Sequence, residues 1–262
     1  MKTRPCAVAG MFYPRDPSHL GQLLGGFFSK TGTGEKASGV VSPHAGYIYS
    51  GQIAAHAFSS ISPDFSGTFI VIGPSHHGHL TSVSSIPWET PLGIVDVDTE
   101  FIEALDIVID EPSQKEEHSI EVQMPFIKYR FPRSHVVPIM MGAQDPAHVA
   151  AVAEKIGAAH RLTKRDIRLI ASSDFSHYVP EAQAKDGDLY AIEALTRLDV
   201  NEFNRRIREK RVTACGYGPI SVMASVCKSM GAREGQLIRY GTSGDVTGDR
   251  NEVVGYAAFA VI

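Results

Sequence analysis

Short apolar runs rich in Val and Ile recur along the chain, each closed by a cluster of Gly, Pro, Ser or His and followed by a longer stretch with helical spacing. No other feature constrains the fold as strongly, because strands joined through helices run parallel, and a parallel sheet is covered by helices on both faces. The runs predict strands at 39–42, 68–73, 135–141, 167–172, 237–240 and 253–262. Helical spacing predicts helices at 17–29, 52–60, 99–107, 119–129, 146–159, 188–198, 201–210 and 218–230. Two of these have clear starts: Asp16 before Pro17, and Asp145 before Pro146, set a capping carboxylate ahead of a proline suited to the first helical turn.

The expectation is an α/β protein, a three-layer αβα sandwich around a mixed, largely parallel sheet. Residues 1–262 read as one domain, with no internal repeat, low-complexity tract or linker. The turn-rich segment GTSGDVTGDRNE at 241–252 lies between two strand-like runs and is expected to be a long hairpin loop. A hydrophobic fraction of 43% supplies a core for a sheet covered on both faces. The net charge of -4 offers no general attraction for phosphate backbones or anionic lipid, so neither nucleic acid nor a membrane is an expected partner. No segment approaches the roughly 18 uninterrupted apolar residues of a membrane span. The stretch CAVAGMFYP near the amino terminus is too short, and too broken by Gly10 and Pro14, for a signal-peptide core. Cys6, Cys215 and Cys227 form an odd set with no Cys-x-x-Cys pair, which fits a reducing cytoplasm better than a disulfide framework.

Unusual residues gather where the strands end. Pro43-His44-Ala45-Gly46-Tyr47 follows the first run, Gly73-Pro74-Ser75-His76-His77 the second, and Ser173-Asp174-Phe175-Ser176-His177 the fourth. Ligands of open α/β sheets bind in the crevice outside the carboxyl ends of the strands, so His44, His76 and the pair Asp174 and His177 point to one shared site. Two neutral imidazoles with an anionic third ligand are a usual shell for a divalent transition metal, with positions left for water or substrate. A lone histidine after a strand is more often a hydrogen-bonded loop residue, and the chain has 11 histidines; their convergence in three such loops tips the balance towards a site. His19, His56, His79, His135, His148 and His160 fall outside the pattern and read as surface or helix-face residues. Ser173 and Ser176 lack the Gly-x-Ser-x-Gly elbow of a hydrolase.

Taken in order, these motifs resemble the Memo family, whose fold is similar to that of the class III, LigB-type extradiol dioxygenases, which use non-haem Fe(II). The resemblance runs from Arg4 and AGMFYP through PHAGYIYSG, VIGPSHHG, TPLG, EHSIEVQMPF, SSDFSHY and ACGYGPI to the closing TSGD. It implies a LigB-like fold and metal ligands at His44, His76 and Cys215. It also implies an acid/base role for His177, a polar place in the site for Asp174, and a pocket-lining role for His118. The plainer roles are a turn cap for Asp174, a helix-start interaction with Glu121 for His118, and a small packed residue for Cys215. The dioxygenases have a glutamate as third ligand. A thiolate in its place is softer and more electron-donating, so copper and zinc join Fe(II), the first expectation, as candidate metals. Prokaryotic relatives resemble partners of radical-SAM proteins, which makes such a protein an expected partner.

Three functions are then in play. The first is metal-dependent redox or oxygenase-like chemistry on an unknown small substrate, with His177 handling protons while Asp174 and His118 shape the pocket. The second is a non-catalytic module that holds a peptide or small molecule in the same crevice, with Tyr13, Tyr47 and Trp88 as contacts. The third is a closed structural site with a four-ligand zinc. Only the first needs a redox-active metal with an open coordination position.

Overall fold

A computed structural model describes residues 2–32, 34 and 37–262. Strands β1 (Gly39–Ser42) and β2 (Thr68–Pro74) are buried along their whole length, as near-continuous apolar runs require of strands covered on both faces. Three short strands follow, β3 (Ser82–Val83), β4 (Trp88–Thr90) and β5 (Gly93–Val95), and then β6 (His135–Met141) and β7 (Ile167–Ser172). The chain closes its sheet with β8 (His177–Val179), β9 (Gly235–Thr242) and β10 (Val253–Val261). Between them lie helices α1 (Pro17–Phe28), α2 (Tyr47–Ser59), α3 (Thr99–Ala104), α4 (Glu111–Gln114), α5 (His118–Glu121) and α6 (Met124–Arg130). Further along come α7 (Pro146–Thr163), α8 (Glu181–Leu195), α9 (Val200–Lys210), α10 (Tyr217–Ser229) and the single turn α11 (Gly244–Thr247).

The main sheet has the order β3-β6-β2-β7-β1-β10-β8, with β9 paired to β10. Its centre is parallel, through the pairs β6 with β2, β2 with β7, and β7 with β1. Both flanks are antiparallel: β3 on one side, and β10 with β8 and β9 on the other. Helix α2, with α1 packed on it, covers one face, and α10, with α7, α8 and α9 around it, covers the other. This is the expected three-layer α/β sandwich. The sequence neighbours β1 and β2 are separated in the sheet by β7.

Several boundaries differ from expectation for physical reasons. The helix expected at 119–129 is two helices, because Pro125 has no N–H to donate and its ring would meet the carbonyl of Glu121; it sits instead in the first turn of α6. Helix α2 starts a turn before the expected residue 52, at a Gly46 cap with no side-chain hydrogen bond to announce it. The short strands β3, β4, β5 and β8 have no counterpart among the expected strands, since two or three residues carry no readable period. The 241–252 segment does join two antiparallel strands, with α11 inside the loop. All three cysteines are free thiols, and among the described residues no helix is long and apolar enough to cross a membrane.

Candidate metal centre

Strands β1, β7 and β2 run side by side and parallel, so their carboxyl ends share one edge. His44 follows β1, His76 follows β2 and Asp174 follows β7. A third histidine joins them from α5, which begins at His118. Its approach depends on Gly73: a Cβ there would lie 2.4 Å from Ser119 Oγ and 2.8 Å from Ile120. The ligand atoms of His44, His76 and His118 all lie within 4.8 Å of one another, a group that could hold a metal ion. The rings of His76 and His118 stack with centroids 4.4 Å apart, and His44 meets them edge-on at 5.2 and 5.5 Å.

The hydrogen bonds behind the rings determine which nitrogen faces the centre. Ser172 Oγ donates to Ser119 O at 2.6 Å and accepts from Gln123 Nε2 at 2.8 Å. Its hydroxyl proton is thereby engaged, so at the 3.0 Å contact with His44 Nδ1 it is the ring that donates. The lone pair of His44 is left on Nε2. His76 Nδ1 likewise donates to Glu117 Oε1 at 2.9 Å, leaving its own Nε2 free. Burial opposes ionisation of Glu117, but hydrogen bonds from the ring and backbone of His76 and from the Ser119 N–H outweigh it and bring the carboxyl down to about 2. Burial, then the charges of His76 and His118, push His44 well below the ordinary imidazole range. Burial and His76 bring His118 down to about 4. Neutral imidazoles are the metal-binding form.

Cys215 reaches the same place from the turn before α10. Gly216 has room only for a hydrogen, since a Cβ would lie 2.5 Å from Ser172 O and 2.7 Å from Ser173 Cβ, and its N–H donates to Ser173 Oγ at 3.0 Å. Cys215 Sγ lies 3.2 Å from His44 Nε2 and accepts from the Asp174 N–H at 3.3 Å. Burial and then the Asp174 charge hold this thiol well above the usual cysteine range. Asp174 accepts the His44 backbone N–H at 2.9 Å, with its other oxygen 4.0 Å from His44 Nε2, and burial pushes its carboxyl upward. His177 lies in β8 rather than in a loop. Its N–H donates to Thr213 Oγ1 at 2.7 Å and its ring Nδ1 to Thr213 O at 2.9 Å, which leaves Nε2 to accept.

Sequence reasoning missed the supporting residues. Glu117, not Glu121, caps α5. Glu121 is fully buried and receives the amino-terminal segment: the N–H groups of Ala7 and Val8 at 2.9 Å, the Tyr13 hydroxyl at 2.6 Å, and an ion pair with Arg4. The signal was the row of Glu117, Glu121 and Gln123, carboxylates and an amide set among buried apolar neighbours. Tyr13, Tyr47 and Trp88, the expected contact residues, are buried; Tyr47 donates to Val122 O, and Trp88 lies under the Arg4 guanidinium, 4.0 Å from its ring centre. The exposed apolar side chains beside the centre are Met11, Ile48 and Tyr49, which line a groove of about 480 Å³ with Phe12 and with two of the expected contact residues, Tyr13 and Tyr47. The Phe12 ring lies 4.9 Å from that of His118 and connects groove to centre.

Residues 4–260 match the family model described as Memo-like protein. The chain is 42% identical to a MEMO1 family protein of Methanosarcina barkeri, over 98% of this chain and 99% of the relative. It is 42% identical to a MEMO1 family protein of Methanothermobacter thermautotrophicus, with the same coverage. A MEMO1 family protein of Archaeoglobus fulgidus is 43% identical, over 95% of this chain and 96% of the relative.

Proposed function

Because the chain belongs to the Memo-like protein family, matching it over residues 4–260, we propose that it binds one transition-metal ion and uses it in redox or oxygenase-like chemistry on a small substrate. His44 and His76 are the core ligands, Cys215 is the sulfur ligand beside His44, and His118 is the further imidazole at the same opening. The observation that carries this reading is the convergence of three imidazoles within 4.8 Å. The Nδ1 atoms of two of them are already engaged, which turns their lone pairs inward. Nitrogen and sulfur donors of this kind suit Fe(II), copper or zinc; a redox role leaves Fe(II) and copper, and Fe(II) is the first choice on the resemblance to Fe(II)-dependent dioxygenases. The metal, when bound, supplies a Lewis-acidic and redox-active centre.

The chain's own groups would do the rest. His177, with Nδ1 committed to Thr213 O, offers Nε2 as a proton acceptor. Asp174, buried and pushed upward, holds the His44 backbone and can carry a proton of its own. The groove along Phe12, Met11, Ile48 and Tyr49 would seat an apolar part of the substrate. That same groove favours a second reading, a module that binds a small molecule or peptide without turnover.

Metal analysis of protein purified without oxygen tests the proposal, with oxygen consumption as a second readout. About one ion per chain is expected. His44→Ala and His76→Ala should each empty the centre, whereas His177→Ala should keep the metal and lose turnover. Full metal content in folded His44→Ala and His76→Ala proteins would overturn the assignment. Ligand binding that persists without metal, with no oxygen uptake, would favour the binding module.

A further inference from the structure

Two enclosed polar atoms behind the metal centre have no hydrogen-bond partner among the described residues: Ser42 Oγ at the end of β1, and Gln123 Oε1 just before α6. Both residues are fully buried. Atoms enclosed in this way are costly to leave unpaired, and native interiors rarely leave them so.

The two atoms belong to one place. Ser42 is in register with Ser172 on the parallel neighbour β7, and in-register residues of adjacent strands turn their side chains to the same face, about 4.8 Å apart. Gln123 lies against that face. Its Nε2 donates to Ser172 Oγ at 2.8 Å and to the carbonyl of Pro43, the residue after Ser42, at 3.0 Å. Those two bonds fix which way the amide faces and leave Oε1 as an acceptor in need of a donor. Ser42 Oγ has a proton to give and lone pairs to fill.

A partner for both must donate to the amide and accept from the hydroxyl. A hard cation could take the two oxygens but not the Ser42 proton, and it asks for six or more oxygens where these side chains offer one each. An organic ligand would need an opening that fully buried residues do not give. Water meets the requirement, because one molecule can donate to Gln123 Oε1, accept from Ser42 Oγ, and span up to about 5 Å between them. We propose that an internal water bridges Ser42 and Gln123, and that Gln123, backed by this water, is a positioning residue for His44. The chain runs from Ser42 through the water to Gln123, on to Ser172 Oγ and to His44 Nδ1, and each link orients the next. Its effect on metal binding rests on the metal reading proposed above; the water itself does not.

The test is a high-resolution crystal structure of the whole protein after metal removal, read beside two measurements on Ser42→Ala. A water oxygen should lie within about 3.2 Å of both Ser42 Oγ and Gln123 Oε1. Ser42→Ala touches no ligand, yet by chelator competition it should bind metal at least about twofold more weakly than the parent, the low end of effects passed through neighbouring residues. In nitrogen-15 spectra of the metal-free variant the Nδ1 signal of His44 should move, while those of the exposed His77 and His79 should not. No water between the two side chains, parental metal affinity in Ser42→Ala, or an unmoved His44 signal would each overturn the proposal. A parent that binds no metal would sink the metal reading instead, because the water and the His44 signal are both read without metal.

Discussion

Ser172 Oγ decides which nitrogen of His44 can meet a metal, because its own proton goes to Ser119 O and it can only accept from the ring. Ser172→Ala should therefore leave the protein folded and weaken metal binding by about tenfold, the usual effect of losing such an orienting partner. Competition with a coloured chelator measures this; unchanged affinity would mean that packing alone holds the ring. Cys215 makes a different prediction. Burial and Asp174 keep its thiol protonated in the metal-free protein, so a metal that takes the sulfur must displace a proton. Metal should then shield Cys215 from alkylation, leave the half-buried Cys6 equally reactive, and find Cys227 unreactive throughout, since it is fully buried in α10. The positions of His44 and His76 were legible in the sequence because each follows a strand directly. The approach of His118 was not, since it depends on the missing side chain of Gly73. The roles of Ser172 and Gln123 could not be read, even with Gln123 in a row of polar residues, because each acts on a partner far away in the chain.

At the scale of elements, the segment from Glu117 to Gln123 ties the centre together. Glu117 holds His76, Gln123 holds Ser172 and the Pro43 carbonyl, and Glu121 holds the amino-terminal segment. Glu121→Gln would leave Arg4, 3% exposed, as an unpaired buried charge, and should destabilise the fold by about 3–5 kcal/mol. Urea unfolding measures that loss, and a change under about 1 kcal/mol would show that the pair behaves as an exposed one. Gly73→Ala should act more locally. Its Cβ must displace Ser119 or Ile120 and so move α5, which predicts an overpacking cost of about 1–3 kcal/mol together with weaker metal binding. The long strands and the amphipathic helices were readable because burial imposes a period on them. The break between α5 and α6 was written in Pro125, but the 3.6-residue pattern running across it concealed the interruption. Strand β8 carries His177 on three residues, fewer than any period can show.

For the molecule as a whole, two sets of buried groups oppose each other in acid. Burial pushes Asp188 up to about 6, although Ser176 and Tyr240 donate to it, so its folded form takes a proton more readily than the unfolded chain and stability falls as pH rises from about 4 to 6. His44 and His118 are pushed down, His118 to about 4, so their contribution is complete above the unfolded value near 6.5 and is lost as pH falls towards 4. The metal-free protein should thus change little in stability across this window. Asp188→Asn removes one of the carboxyls that take up protons on folding, so its stability should fall more steeply than the parent's as pH drops from 6 to 4. Thermal melts at stepped pH check this, and parallel curves for parent and variant would refute it. The place of β7 between β1 and β2 also sets a timetable. On a chain emerging from the ribosome, β1 and β2 are made early, yet neither has its inner partner until β7 has left the exit tunnel, and both wait with open edges prone to mispairing. Metal that arrives before then finds His44 and His76 on unconnected strands. On the proposed reading, capture of an ion would therefore be an event of late synthesis: a nascent fragment ending at Thr163 should hold no metal and should aggregate, whereas the released full chain should take up an ion in the same kinetic phase that completes the sheet.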